Sequence, residues 1–359
     1  MSAAPLVSVV MSVYNGARYL PEAAESIQAQ TFRDFEFVVV DDGSTDTTAA
    51  LLDRYAQLDP RIRPLRQENQ GLIRSLNRGV HASRGKYIAR MDADDVALPD
   101  RLEKQVARLE SQPELAVLGG AVRWLTSRGP HSGVHRNPCD PGEAAGMLRR
   151  QSCLVHPTVM MRRDVFCATG GYRQAFKDAE DYDLWLRMAA TYPVANLPDT
   201  LLHYRVHDGQ VSGTRIVQQA MSTLAAQMCA ALRSRGRPDP AEGVDCITWH
   251  FLEELGCADD AMRAAVINAF EARVALLLTL GLVDQATGLV EGQLASPGAL
   301  ADCQLAFHAD PAVGWLRAKI ALARGQYPRA ARHLWEAAVG RPRYLKRMLA
   351  SLVRQLARR

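Results

Sequence analysis

The sequence predicts an α/β fold with a mostly parallel central sheet, followed by an all-α region, on three observations. Short Val-rich runs, VSVVMSV (7–13) and EFVVV (36–40), each end in a polar or Gly-containing turn, as strands buried on both faces do. Stretches with apolar residues at helical spacing separate such runs. After about residue 213 the sequence becomes Ala- and Leu-rich, as in MSTLAAQMCAALRSR and AFEARVALLLTLGLVDQATGLV. A chain of 359 residues exceeds one ordinary core, so we expect two domains, 1–212 and 213–359.

The elements follow in order. The first strand spans 7–13, and LPEAAESIQAQT then reads as a helix with Pro21 near its start. The second strand, 36–40, leads into STDTTAALLDRYAQL, a helix with Ser44, Thr45 and Asp46 as candidate N-caps. A helix near 71–83, a strand at 86–91 and a helix at 99–111 continue the alternation. Such alternation gathers ligand-binding loops at the C-terminal ends of the strands, where DDGSTD and DADD both fall. From 113 to 210 the pattern is less regular, with strands expected at 115–125, 158–162 and 199–206 and a helix at 180–191. Near the end, VGWLRAKIALARGQYPRAARHLWEAAVGRP reads as two antiparallel helices broken at Gly325, like one tetratricopeptide-type hairpin.

Composition narrows the function. The chain is 48% apolar and 23% charged, and its 43 basic against 39 acidic groups leave a formal charge of only +4, which does not indicate a general nucleic-acid binder. Seven cysteines without a CxxC pair read as free thiols in a reducing compartment rather than a zinc site. The N-terminal run reads as a strand rather than a signal peptide, and no apolar run reaches about 18 residues, so a cytoplasmic location is expected.

The chemistry concentrates in a few motifs. In RMDADD, Asp92, Asp94 and Asp95 crowd into four positions, a repulsive arrangement that a divalent cation would relieve. An isolated Asp-x-Asp is also common in solvated turns. Likewise DDGSTD alone could be an Asp-Gly turn with a helix cap, and Arg74 alone a solvated helix residue. Glu180, Asp181 and Asp183 in KDAEDYDLWLRM could simply favour the positive end of a helix dipole.

Taken together and in this order, VSVVMSVYNG, DDGSTD, NQGLIRSLNRG, RMDADD, EDYD and YRVH resemble the nucleotide-sugar-binding half of glycosyltransferase family 2 over about residues 5–210. That resemblance implies the GT-A, Rossmann-like fold and an inverting, metal-dependent sugar transfer from a nucleoside-diphosphate sugar, taken to be UDP-linked. The acceptor would be a hydroxyl of a glycan or lipid-linked saccharide in cell-surface polysaccharide synthesis. It implies that Val13, Tyr14 and Asn15 pass over the nucleoside, that Asp42 reads the base while Asp41 shapes its loop, and that Arg74 faces the diphosphate. Asp92, Ala93 and Asp94 would meet the ribose and the cation, Mn2+ or Mg2+, with His207 completing the metal shell. Asp181 would be the general base with Glu180 beside it, and His156 would lie near a sugar.

Two other readings compete. A sugar nucleotidyltransferase would share a related fold, but SVYNGARYL lacks the glycine run of those enzymes; a non-catalytic nucleotide-sugar-binding scaffold would have little need of Asp92, Asp94 and Asp181. The final stretch, RPRYLKRMLASLVRQLARR, has seven basic and no acidic residues with apolar ones at helical spacing. It reads either as a helix on the inner face of the cell membrane or as a terminal helix packed on the helical domain.

Overall fold

In the computed structural model, residues 4–207, 215–294, 307 and 310–340 are described. The basic stretch 341–359 lies outside them. The chain forms two compact units, one holding residues 4–207 with 225–246, the other 215–224 with 247–340.

The first unit is an α/β sheet structure. Its elements are β1 (Val7–Val13), α1 (Leu20–Gln28), β2 (Phe35–Asp41), α2 (Thr48–Leu58), β3 (Ile62–Arg66), α3 (Leu72–Ala82), β4 (Tyr87–Asp92), β5 (Val96–Ala97) and α4 (Arg101–Ser111). They continue as β6 (Val117–Thr126), β7 (Gly129–His135), α5 (Pro141–Leu148), β8 (Met160–Arg162), α6 (Arg163–Ala168), α7 (Glu180–Met188) and β9 (Val194–Arg205). The strand order is β3-β2-β1-β4-β8-β6-β9-β5, with β7 pairing off β6. Strands β3, β2, β1 and β4 run parallel.

Strand β8 is antiparallel to both β4 and β6, and β9 is parallel to β6. It follows that β1, β2, β4, β6 and β9 all end on one edge of the sheet. Their following loops are brought together there.

The buried strands form where the sequence offers apolar residues to both faces. Val9, Met11, Phe37, Val39 and Met91 pack with Leu20, Ala23, Ile27 of α1 and Leu102, Val106 of α4 in one core. Each of these side chains larger than alanine contributes about 1.5–3 kcal/mol of burial. On the other face α3 comes so close to β1 that a Cβ on Gly79 would lie 2.6 Å from Val10 Cγ1, which is why that helix position is glycine.

Some elements differ from the sequence expectation. The expected strand at 199–206 starts earlier, at Val194, and β3 and β7 were not foreseen at all. Helix α2 starts at Thr48, and its N-cap Thr47 makes no side-chain cap. Of the three expected caps only Asp46 acts locally, its Oδ1 accepting from Thr48 N at 2.9 Å. Ser44 and Thr45 bind Asn15 instead.

After β9 come α8 (Ile216–Arg233), α9 (Trp249–Glu254), α10 (Asp259–Thr279), α11 (Val283–Leu289), α12 (Pro311–Ala323) and α13 (Tyr327–Gly340). Within the second unit, Met262, Val266, Phe270 and Val274 make the buried stripe of α10, and Asp310 caps α12 through Ala312 N at 2.9 Å. Gly325, at φ 70°, turns the chain between α12 and α13, and Gly314 lies against His333 and Ala337. Among the described residues no helix is long and apolar enough to cross a membrane.

Candidate active site

The loops after β1 and β2 lock together first. Asn15 adopts φ 50°, a conformation that Asn tolerates better than most residues. Its Oδ1 accepts from Thr45 N at 2.8 Å, while Ser44 Oγ accepts from Asn15 N at 2.9 Å. Thr48 Oγ1 and Asp46 Oδ2 accept from Gly16 N and Ala17 N. Val13 is buried and its carbonyl accepts from Asp42 N, whereas Tyr14 is exposed.

Asp41 and Asp42 divide the loop-building work. Asp41 Oδ1 accepts from Ser44 N at 3.0 Å. Asp42, buried, accepts from Gln70 N, Gly71 N and the Gln67 side chain. Its carboxylate therefore also holds the loop that starts α3, with about one of its four acceptor positions left over. Arg74 is exposed on the first turn of α3.

At the end of β4 the three carboxylates do come together. One oxygen from each of Asp92, Asp94 and Asp95 lies within 4.8 Å of the others. Asp94 Oδ2 is 2.9 Å from His207 Nε2, so β9 delivers the histidine to the acidic loop. Arg205, just before it, fastens that loop. Its backbone N donates to Asp95 Oδ1 at 2.7 Å and its Nε to the Asp94 carbonyl at 2.6 Å. Its guanidinium also pairs with Glu22 and lies 4.7 Å over the Tyr19 ring, which in turn touches the His207 ring.

Two buried arginines stand beneath the loop, and the motif reading missed both. Arg90 pairs with Asp92. Arg101 is wholly buried and donates to the Arg90 carbonyl at 2.6 Å. The only sequence signal was an arginine inside the apolar run YIARM.

The second acidic group sits at the start of α7. Burial, then the neighbouring Asp181 charge, pushes the Glu180 carboxyl up to about 8. Burial pushes Asp181 up to about 6, opposed by the Tyr182 N–H that Oδ1 accepts at 2.7 Å and by the Arg90 charge. Asp183, by contrast, is fully buried between Arg173 and Arg187 and anchors the helix. Asp178, two residues before the pair, adopts φ 67°.

His156 Nε2 lies 2.8 Å from Tyr172 Oη, and its ring packs against Trp185 of α7. Burial, with the Arg90 charge, holds it well below the usual histidine range, so it is neutral at pH 7. Asn77 joins this wall to α3, donating to the Tyr172 carbonyl and accepting its N–H.

A mostly parallel α/β sheet with an acidic cluster at the C-terminal end of β4 and a second acidic pair at the start of α7 has the arrangement in which α/β enzymes bind their ligands at the strand ends. Residues 8–168 match the family described as Glycosyl transferase family 2, and residues 155–234 match Glycosyltransferase like family 2. The amylovoran biosynthesis glycosyltransferase AmsE of Erwinia amylovora is 35% identical over 214 residues, 58% of this chain and 80% of that protein. The O-antigen biosynthesis glycosyltransferase WbnJ of Escherichia coli is 35% identical over 207 residues, 56% of this chain and 80% of that one. The chain therefore belongs to glycosyltransferase family 2 and is a glycosyltransferase.

Solved structures agree on the fold. A mannosyltransferase, PcManGT from Pyrobaculum calidifontis, in complex with GDP-Man and Mn2+, aligns over 94% of this chain and 87% of its own with a TM-score of 0.52 at 20% identity. S. aureus TarS 1-349 in complex with UDP-GlcNAc aligns over 93% and 91% with a TM-score of 0.51 at 17% identity. The first unit thus has the GT-A fold.

Proposed function

We propose that this enzyme is an inverting, metal-dependent glycosyltransferase that moves a sugar from a UDP-sugar to a hydroxyl of a glycan or lipid-linked saccharide in cell-surface polysaccharide synthesis. The observation that carries the reading is the pairing of two acidic groups of different character. Asp94, clustered with Asp92 and Asp95 at the end of β4, meets His207, while Glu180 and Asp181 form a second acidic pair at the start of α7. The names of the amylovoran and O-antigen relatives support the polysaccharide context, and the bound nucleotide sugars of the two solved structures support the donor class.

Each residue then has a task. Asp42 accepts the imide N–H of the base, and the backbone of Val13, Tyr14 and Asn15 covers the nucleoside. Arg74 faces the diphosphate. Asp92, Ala93 and Asp94 would meet the ribose and the cation, with His207 as a further ligand. The donor set of carboxylates and one imidazole suits Mn2+ or Mg2+, which when bound would neutralise charge on the departing diphosphate.

Asp181 takes the proton of the acceptor hydroxyl as that oxygen attacks the anomeric carbon from the side opposite the phosphate. The bond from that carbon to the phosphate oxygen breaks, and its electron pair leaves with UDP. Inversion follows from this single displacement. Glu180, neutral at pH 7, can donate a hydrogen bond to the acceptor.

We assign the transfer to the domain of residues 1–212, against which 225–246 pack, and read the rest of 213–359 as an added helical domain. Its basic end, 341–359, would hold the enzyme at the inner face of the cell membrane. Liposome sedimentation with and without those residues tests this, and unchanged partitioning would refute it. For the reaction itself, UDP release from UDP-sugars in the presence of Mn2+ is the expected result. Pyrophosphate release would point instead to a nucleotidyltransferase, and binding without turnover to a scaffold.

A further inference from the structure

We propose that Asp95, rather than Asp92, joins Asp94 and His207 as a ligand of the divalent cation, leaving Asp92 paired with Arg90 and facing the donor ribose. This assignment rests on the glycosyltransferase reading above. Its first support is Asp95 itself. Only 1% of the residue is exposed, Oδ1 accepts the Arg205 N–H, and Oδ2 has no hydrogen-bond partner among the described residues. A buried carboxylate oxygen without a donor is unfavourable, and a cation beside it removes the deficit.

The spacing allows it. Bonds of about 2.1 Å put two ligand oxygens about 3–4.2 Å apart on one small divalent ion. One oxygen from each carboxylate lies within 4.8 Å of the others, so small side-chain rotations bring Asp94 and Asp95 onto one ion. His207 is already in hydrogen-bond contact with Asp94, so the imidazole needs little movement.

Charge decides between Asp92 and Asp95. The Arg90 side chain is 4% exposed and its guanidinium pairs with Asp92. An arginine keeps its proton, so Asp92 arrives already neutralised and with a positive group beside it. Arg205 pairs with Glu22 and meets the acidic loop through its backbone N–H to Asp95 and its Nε to the Asp94 carbonyl. Bound to a divalent ion, Asp94 and Asp95 would set two carboxylate charges against its two positive ones. The competing view is that Asp95 only accepts the Arg205 N–H and shapes the loop.

The test is Mn2+ binding, read as free Mn2+ by electron paramagnetic resonance on the full-length protein, with Mn2+ alone and again with UDP present. Asp94→Asn and Asp95→Asn are expected to weaken Mn2+ binding by more than about tenfold, and Asp92→Asn by less than about threefold. Asparagine keeps an oxygen for the Arg205 N–H, so a purely loop-shaping Asp95 would leave the Asn variant binding Mn2+ like the wild type. That result would overturn the assignment, as would an Asp92→Asn loss as large as that of Asp94→Asn. Melting temperatures without metal check folding, and if Asp95→Asn does not fold the Asp92→Asn titration decides alone. A wild-type protein that takes up no Mn2+ under either condition would overturn the cation reading of the site, and this assignment with it.

Discussion

Asp181 and Glu180 are adjacent carboxylates that burial shifts to different extents. With its carboxyl pushed up to about 6, Asp181 is mostly ionised at pH 7 and close enough to neutrality to take a proton. As the proposed base Asp181 acts only when ionised, so kcat/KM should rise with pH through about 6 and level off above. Asp181→Asn should lower kcat by roughly 10²–10⁴-fold while UDP-sugar binding, measured calorimetrically, stays within a fewfold of wild type. Glu180 carries a stability cost of its own. Its carboxyl titrates at about 8 in the folded chain against 4.5 in the unfolded one, so the stability it allows is fully present below 4.5 and lost as pH rises through 8. Glu180→Gln should therefore raise the melting temperature, more at pH 9 than at pH 5. The motif carboxylates were legible in the sequence because their spacing is local. Arg90, Arg101 and Arg205 were not, because an arginine's role depends on burial and on partners up to 183 positions away, as for Arg205 with Glu22.

At the scale of elements, the loop after β2 and the start of α7 set the geometry. Gly43 sits at φ 77°, and a Cβ there would lie 2.8 Å from Asn69 N. Gly43→Ala should strain the loop that carries Asp42 by about 1–3 kcal/mol and appear as a raised KM for the donor more than a lowered kcat. Asp183 is the buried anchor of α7 between Arg173 and Arg187. Asp183→Ala would leave Arg187 without its ion pair and Arg173 with Asp239 alone, and a loss of about 3–5 kcal/mol in urea unfolding is expected. The strands with Val-rich runs were readable by eye. Strand β3 was not, since RIRPLR has neither an apolar run nor clean alternation, and Pro64 is tolerated because β3 lies at the sheet edge. Strand β7 is polar and mostly exposed, and only its pairing with β6 makes it a strand.

Over the whole molecule, the segment 225–246 belongs with the α/β unit. Asp239 pairs with both Arg173 and Arg233, and Gln227 donates to the Arg150 carbonyl at 2.7 Å. A chain ending after Cys246 should thus melt higher than one ending at residue 212. Composition could not reveal this, because an Ala-rich helix reads alike whichever core it joins. The proposed centre of the enzyme is a cation-dependent nucleotide-sugar site at the strand ends. Its most direct test is the melting temperature of the full-length protein across a panel of nucleotide sugars, with and without Mn2+. A Mn2+-dependent rise with a UDP-sugar, kept in Asp181→Asn and lost in Asp94→Asn, is the predicted result; no rise with any nucleotide sugar, or a rise indifferent to both Mn2+ and Asp94, would contradict it.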